Sequence, residues 1–186
     1  MSIIENFEDY SEKTNIEKYF EIANTLANIN YKIKDNLLIG EFTINKKEYL
    51  IIFREYDKKI STVKFYRKNI VGDWVTEIVE KNEQNIGQSG RVLSTIKKSA
   101  IDYLKEKDVD FLLFGALDGS KGRKNLYTWF CNFITLNNPI LKYKRIKYIQ
   151  DTLIFIIYKH NLDVSVIDNE MMQKIQNIEL NDIEWN

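Results

Sequence analysis

The period at which apolar residues recur changes several times along this chain, and each change marks an element. Ile16, Tyr19, Phe20, Ala23, Leu26 and Ala27 stand three and four residues apart, which predicts a helix from Thr14 to Asn28. Thr14 and Glu17 form a capping box at its start, where hydroxyl and carboxylate satisfy each other's orphan amides. From Leu37 the period shortens to two. Four strands follow, Leu37 to Ile44, Tyr49 to Glu55, Ile60 to Arg67 and Trp74 to Val79. Asn45-Lys46-Lys47 reads as a hairpin turn between the first two, and Gly72-Asp73 as the turn before the last. In the third strand Val63 and Phe65 share a face opposite Thr62, Lys64 and Tyr66.

Helical spacing returns from Gly90 to Lys105, with Leu93, Ile96, Ala100 and Leu104 on one face. Phe111 to Phe114 is apolar on both faces, as a strand covered from both sides must be. Ser120 is placed to cap a further helix that buries Leu126, Trp129, Phe130, Phe133 and Ile134. Tyr143 to Ile149 and Thr152 to Lys159 then form a hairpin around Gln150-Asp151, and a short helix follows near Asp168 to Gln176. The order α-β-β-β-β-α-β-α-β-β predicts a mixed sheet flanked by helices, an α/β chain of the α+β kind. A single domain is expected over residues 1–160, with an acidic helix or tail over 161–186 packed on it or extending from it.

Composition narrows the classes. The chain has 186 residues, 44% apolar and 29% charged, with 11 Tyr and 10 Phe, enough to bury a sizeable core. No apolar run reaches the ~20 residues that span a bilayer. The acidic start, Met1-Ser-Ile-Ile-Glu-Asn, lacks the basic and apolar stretches of a signal peptide. Cys131 is the single cysteine, which excludes an internal disulfide framework and suits a reducing compartment. A cytoplasmic location is the expectation. Lys, Asn and Ile are abundant while Pro, Ala and His are scarce, a signature of an AT-rich genome such as that of some bacteria and their phages. One Cys and one His (His160) supply no usual zinc pattern, so no metal site is expected.

Net charge is zero but unevenly spread. From Gly119 to Gln150 there is no Asp or Glu, whereas Lys121, Arg123, Lys124, Lys142, Lys144, Arg145 and Lys147 are basic. Beyond His160 the balance reverses, with Asp163, Asp168, Glu170, Glu179, Asp182 and Glu184 against Lys174 alone. A basic patch for an anionic ligand, with an acidic tail able to fold over it, is one consequence. Two ordinary solvated faces are the other.

The densest chemistry lies between Val79 and Phe133. Gln84-Asn-Ile-Gly87-Gln88-Ser89-Gly90-Arg91 separates a strand from a helix. The first turn of a helix has unpaired amides and the positive end of the dipole, and small residues let a phosphate come close. No Gly-Lys-Ser/Thr follows, so it is not a nucleotide-hydrolysing loop, and Gly-x-Gly-x-x-Gly is absent. The stretch resembles the GNAT acetyltransferase superfamily, whose helix-start motif is Gln/Arg-x-x-Gly-x-Gly/Ala. Gln84, Gly87 and Ser89 stand at its positions. Val109 to Gly115 resembles the family's next strand, which splays from its neighbour to admit the pantetheine arm. Ser120 through Leu126-Tyr127 to Phe130 or Phe133 is similar to its later Asn…Leu-Tyr…aromatic motif, and Tyr143 to Lys159 to its terminal hairpin.

The resemblance covers roughly residues 37–159, and in this degenerate form it rests on element order more than on letters. Ser89 and Ser120 replace the family's preferred residues, and four strands follow the first helix where the family places helices between its first two strands. What the resemblance implies is acetyl-CoA as the cofactor and transfer of an acyl group to an amine acceptor. Gln84, Gly87, Gln88, Ser89, Gly90 and Arg91 would hold its pyrophosphate, and Arg123 and Lys124 its other phosphates. Tyr127 would protonate the departing thiolate. Glu77 or Glu80 would deprotonate the amine.

A second expectation belongs to another class. Lys142, Lys144, Arg145 and Lys147 interleave with Tyr143 and Tyr148, a pattern that lets cations meet phosphates while aromatics stack on bases. On that view the chain is a non-catalytic, phage-encoded inhibitor or binding protein that engages nucleic acid or a host defence ribonucleoprotein. The same alternation also occurs on the solvent side of an edge hairpin.

Overall fold

The structure is a computed structural model that describes residues 26–57, 59–75, 86–116, 121–136, 138–147 and 153–181. Its elements are β1 (Asn30–Lys34), β2 (Leu37–Ile44), β3 (Lys47–Asp57), β4 (Ile60–Lys68), β5 (Trp74–Val75), α1 (Ile86–Glu106), β6 (Phe111–Ala116), α2 (Lys121–Leu136), β7 (Leu141–Lys147), β8 (Leu153–Lys159), a 3-10 turn (Val164–Val166) and α3 (Asn169–Asn181). The strands form one mixed, mostly antiparallel sheet in the order β1-β2-β3-β4-β6-β8-β7, with β5 paired to β4. Only β4 and β6 run parallel among the described pairs. The β4-to-β6 crossover contains α1, the kind of connection a parallel pair requires.

The hairpins follow from local chemistry. Ile44 pairs with Lys47, so the turn is Asn45-Lys46 alone, with φ of 50° and 66°. Two successive positive values match the twist of the flanking strands. The predicted helix from Thr14 falls mainly outside the described residues, but 26–28 are not helical. That segment leads instead into β1, a strand the sequence pattern does not announce. All five residues of β1 are exposed, so no alternation of buried and exposed positions develops. The predicted strand from Trp74 is described only to Val75.

Period-two alternation divides the apolar residues between two faces. On one face Phe42, Ile44, Tyr49, Ile51, Phe53, Val63, Phe65, Leu112, Phe114, Phe155 and Ile157 are buried beneath α1 and α2. Each such side chain contributes about 1.5–3 kcal/mol of transfer free energy, less what ordering costs. Tyr103 of α1 stacks on Phe53 with ring centroids 4.1 Å apart, and its hydroxyl meets Ser61 Oγ at 3.0 Å. On the opposite face Ile60, Phe111, Leu113 and Ile156 are covered by Ile167, Met172 and Ile175. The acidic C-terminal stretch therefore docks on the sheet through an apolar stripe of α3. No helix among the described residues is long and apolar enough to cross a membrane.

An ion-pair cluster fixes one end of the crossover. Asp108 receives Lys59 at 2.5 Å and Lys159 at 2.7 Å, and Lys159 also reaches Asp110 at 2.9 Å. The amides of Asp110 and Phe111 both donate to the Lys59 carbonyl. The C-terminus of α1 is thus held where β4 and β6 begin. With 21 residues, α1 then reaches roughly 30 Å, about the length of β4. Its N-terminus lies at the far end of the sheet.

Candidate functional site

At that far end β4 and β6 part company. Their parallel ladder consists of Ile60↔Phe111, Ser61↔Leu112 and Thr62↔Leu113. Beyond it β4 stays paired to β3 as far as Arg67, and β6 to β8 as far as Ala116. Among the described residues no ladder joins Val63–Tyr66 to Phe114–Ala116. The final pairs on that side of β4 are Arg67↔Val75 and Lys68↔Trp74.

Both crossover helices start at this end. α2 follows the end of β6 and descends parallel to α1, and the two meet where Lys97 Nζ lies 3.8 Å from the Phe133 ring centroid. Burial lowers the pKa of Lys97. Neither helix has an acidic residue in its first turn. Lys121, Arg123 and Lys124 in the first turn of α2 oppose the helix dipole.

The helix boundary places the residues from Gly87 to Arg91 differently from the sequence expectation. α1 begins at Ile86 rather than at Gly90, so Gly87, Gln88 and Ser89 lie within its first turn, where amides have no intrahelical acceptor. Gly90 is buried and Arg91 half-buried. The Nε of Arg91 is buried with no hydrogen-bond partner among the described residues, and so is Ser94 Oγ. Gly90, Ser94 and Lys97 stand four and three residues apart on the helix surface that meets α2. Gln84, Glu77, Glu80 and Ser120 lie outside the described residues.

Tyr127 sits one turn beyond the α2 basic cluster. Its half-buried ring meets Phe114 edge-on at 5.3 Å and Phe155 at 5.7 Å. Phe114 is the first residue of β6 past the ladder. Phe130 of α2 touches both Phe114, at 5.9 Å, and Phe65 of β4, at 6.2 Å. Where main-chain pairing between β4 and β6 stops, aromatic packing from α2 bridges the two strands. Arg67, two residues beyond Phe65 on the same face, is 5% exposed. The sequence reading passed over it, although a cation continuing the Val63, Phe65 register was the available signal.

The remaining candidates separate. Lys142 and Lys144 project from one face of β7 and Arg145 from the other, where its guanidinium reaches Thr128 Oγ1 at 3.4 Å. Lys144 faces the acidic stretch. Hydrogen bonds from the Ser165 amide and hydroxyl hold Asp163 below the usual carboxylate range, and Lys144 adds to that effect. Lys147 ends the strand. His160 is exposed, with Nδ1 3.2 Å from the Ile140 carbonyl. Cys131 is fully buried, and burial pushes its thiol pKa up, as for an inert core cysteine. No three metal-ligating side chains come together among the described residues. In comparisons with known proteins, no family model, curated protein or solved structure matches the chain.

Proposed function

We propose that this chain has a GNAT-like fold, binds acetyl-CoA at the divergence of β4 and β6, and transfers the acyl group to an amine. The observation that carries this is the coincidence, at one end of the sheet, of the parting parallel strands and two helix N-termini free of acidic residues. The one hydrogen-bonded parallel pair among the described residues, β4 with β6, and the terminal β7–β8 hairpin agree with what the family resemblance implies. The run of five strands before α1 among the described residues does not, and it marks a remodelled N-terminal half.

The residues present suit the group. Amides from Gly87 to Arg91, the orphaned Nε of Arg91, and Arg123 with Lys124 would hold its phosphates. Acetyl-CoA supplies an acyl group already activated as a thioester. The chain's own task is then to position that group and exclude water, and the aromatic bridge of Phe65, Phe114 and Phe130 serves both ends. Tyr127, held between Phe114 and Phe155, is the residue to donate a proton to the leaving thiolate. Nucleic-acid engagement would call for Lys142, Lys144, Arg145 and Lys147 on one surface. β7 splits Lys142 and Lys144 from Arg145 and sets Lys144 beside a carboxylate, so acyl transfer is preferred.

The test is release of free CoA thiol from acetyl-CoA in the presence of a mixed amine pool. The wild-type chain should turn over, and Tyr127→Phe should slow release by about 10²-fold or more with the ring packing retained. Turnover unchanged by Tyr127→Phe would remove that residue from the chemistry. No turnover with any amine would leave, at most, a binding function.

A further inference from the structure

A second concavity, of about 220 Å³, lies beneath the C-terminal half of α1, roughly 20–25 Å along that helix from Gly87. Its origin is geometric. β1 extends the sheet past the helix that covers it, leaving half-buried Leu38, next to the fully buried Phe53, as an apolar floor beside the last turns of α1. One wall is Tyr31, whose hydroxyl meets Ser99 Oγ at 2.6 Å. The other is Tyr103, fixed by its stack on Phe53.

Its lining carries two carboxylates against one lysine. Asp102 and Glu106 are one turn apart and both line it. The carbonyl end of α1, at Glu106, adds the negative pole of the dipole. Burial raises the Tyr31 pKa, the Ser99 hydrogen bond acts against it, and Asp102 and Glu106 raise it further. Burial likewise raises that of Tyr103, the Ser61 hydrogen bond opposes, and Glu55 adds to the rise. The two carboxylates and the helix end favour a cation at this rim. Two lysines compete: Lys98, 2.5 Å from Asp102 in a solvent-exposed pair, and Lys107 on the rim. Such exposed pairs are weak and yield readily.

We propose that this cavity is a binding site for a small organic cation, an ammonium or guanidinium carrying an apolar group. The apolar part rests on Leu38 and the Tyr31 ring, the charge faces Asp102 and Glu106, and Tyr31 adds cation–π attraction. A metal ion fits poorly, because two carboxylates are the only strong ligands and both phenols are already bonded. The site is separate from the β4–β6 divergence and does not depend on the acyl-transfer reading.

Isothermal titration of the full chain with benzylammonium, set against benzyl alcohol as the neutral isostere, tests it. Saturable benzylammonium binding is expected with Kd on the order of 0.1–1 mM, as suits a ligand of this size. Benzyl alcohol should not saturate. Asp102→Asn and Glu106→Gln should each weaken binding by about three- to tenfold, and Lys107→Gln should tighten it. Leu38→Trp, folded by circular dichroism, should abolish it. Equal binding of the alcohol, affinity unmoved in the folded Asp102→Asn/Glu106→Gln double variant, or no saturation by ~10 mM benzylammonium would each overturn the assignment.

Discussion

Asp108 shows how much one exposed side chain can organise. It sits at a positive φ of 51° and joins the loop after α1 to β4 through Lys59 and to β8 through Lys159. The hydrogen bonds from Lys159 and Lys59 pull its pKa from 3.8 down to about 2. A carboxylate depressed in the folded state contributes stability that is complete above its unfolded pKa and is lost as pH falls through the folded one. Asp108→Asn should therefore lower the urea midpoint at pH 6, and the gap from wild type should close between pH 4 and pH 2. A gap that does not narrow between pH 4 and pH 2 would assign the effect to the turn geometry. None of this is legible in the sequence, because three charges distant in the chain meet only when β4, β6 and β8 align. Tyr127 became a candidate through the resemblance carried by Leu126-Tyr127, but its aromatic partners come from two other elements.

Among elements, periodicity located β2, β3, β4, β6 and β8 to within two residues, because each has one or both faces buried. β1 escaped for the opposite reason. It is held by its ladder to β2, by Tyr31 on Ser99, and by the Ala27 amide on Thr95 Oγ1 at 3.1 Å. Gly40 was the overlooked sign. A Cβ there would stand 2.7 Å from Ile29 Cγ2, 2.8 Å from Ile51 Cγ2 and 2.9 Å from Tyr31 Cε1. Glycine within a strand commonly marks such a close approach. Gly40→Ala should cost about 1–3 kcal/mol in urea denaturation. Amides of β1 should lose hydrogen-exchange protection first, and a change within ~0.5 kcal/mol of wild type would mean that the three neighbours yield freely. The start of α1 was misjudged by four residues because Gly87, Ser89 and Gly90 read as loop formers, whereas the first turn of a helix tolerates small polar residues well.

At the scale of the molecule, a mixed sheet carries α1 and α2 on one face and α3 on the other, and its ladder divides between β4 and β6. The division is local. Three parallel pairs and the Asp108 cluster close one end, while α2 aromatics bridge the strands where pairing has ceased. The N-termini of α1 and α2, with no acidic residue in either first turn, then lie at the other end. Element order made this arrangement expected, while the letters of the phosphate motif, with Ser89 at its small-residue position, carried less. The charge asymmetry was also visible in the sequence, although only the fold separates Lys142 and Lys144 from Arg145. The most direct test is a calorimetric titration of the full chain with acetyl-CoA. Saturable one-to-one binding is expected with Kd in roughly the micromolar range, lost in a folded Gly87→Trp variant whose indole would obstruct the first turn of α1. Absence of both heat and thermal shift for the wild-type chain would contradict the account.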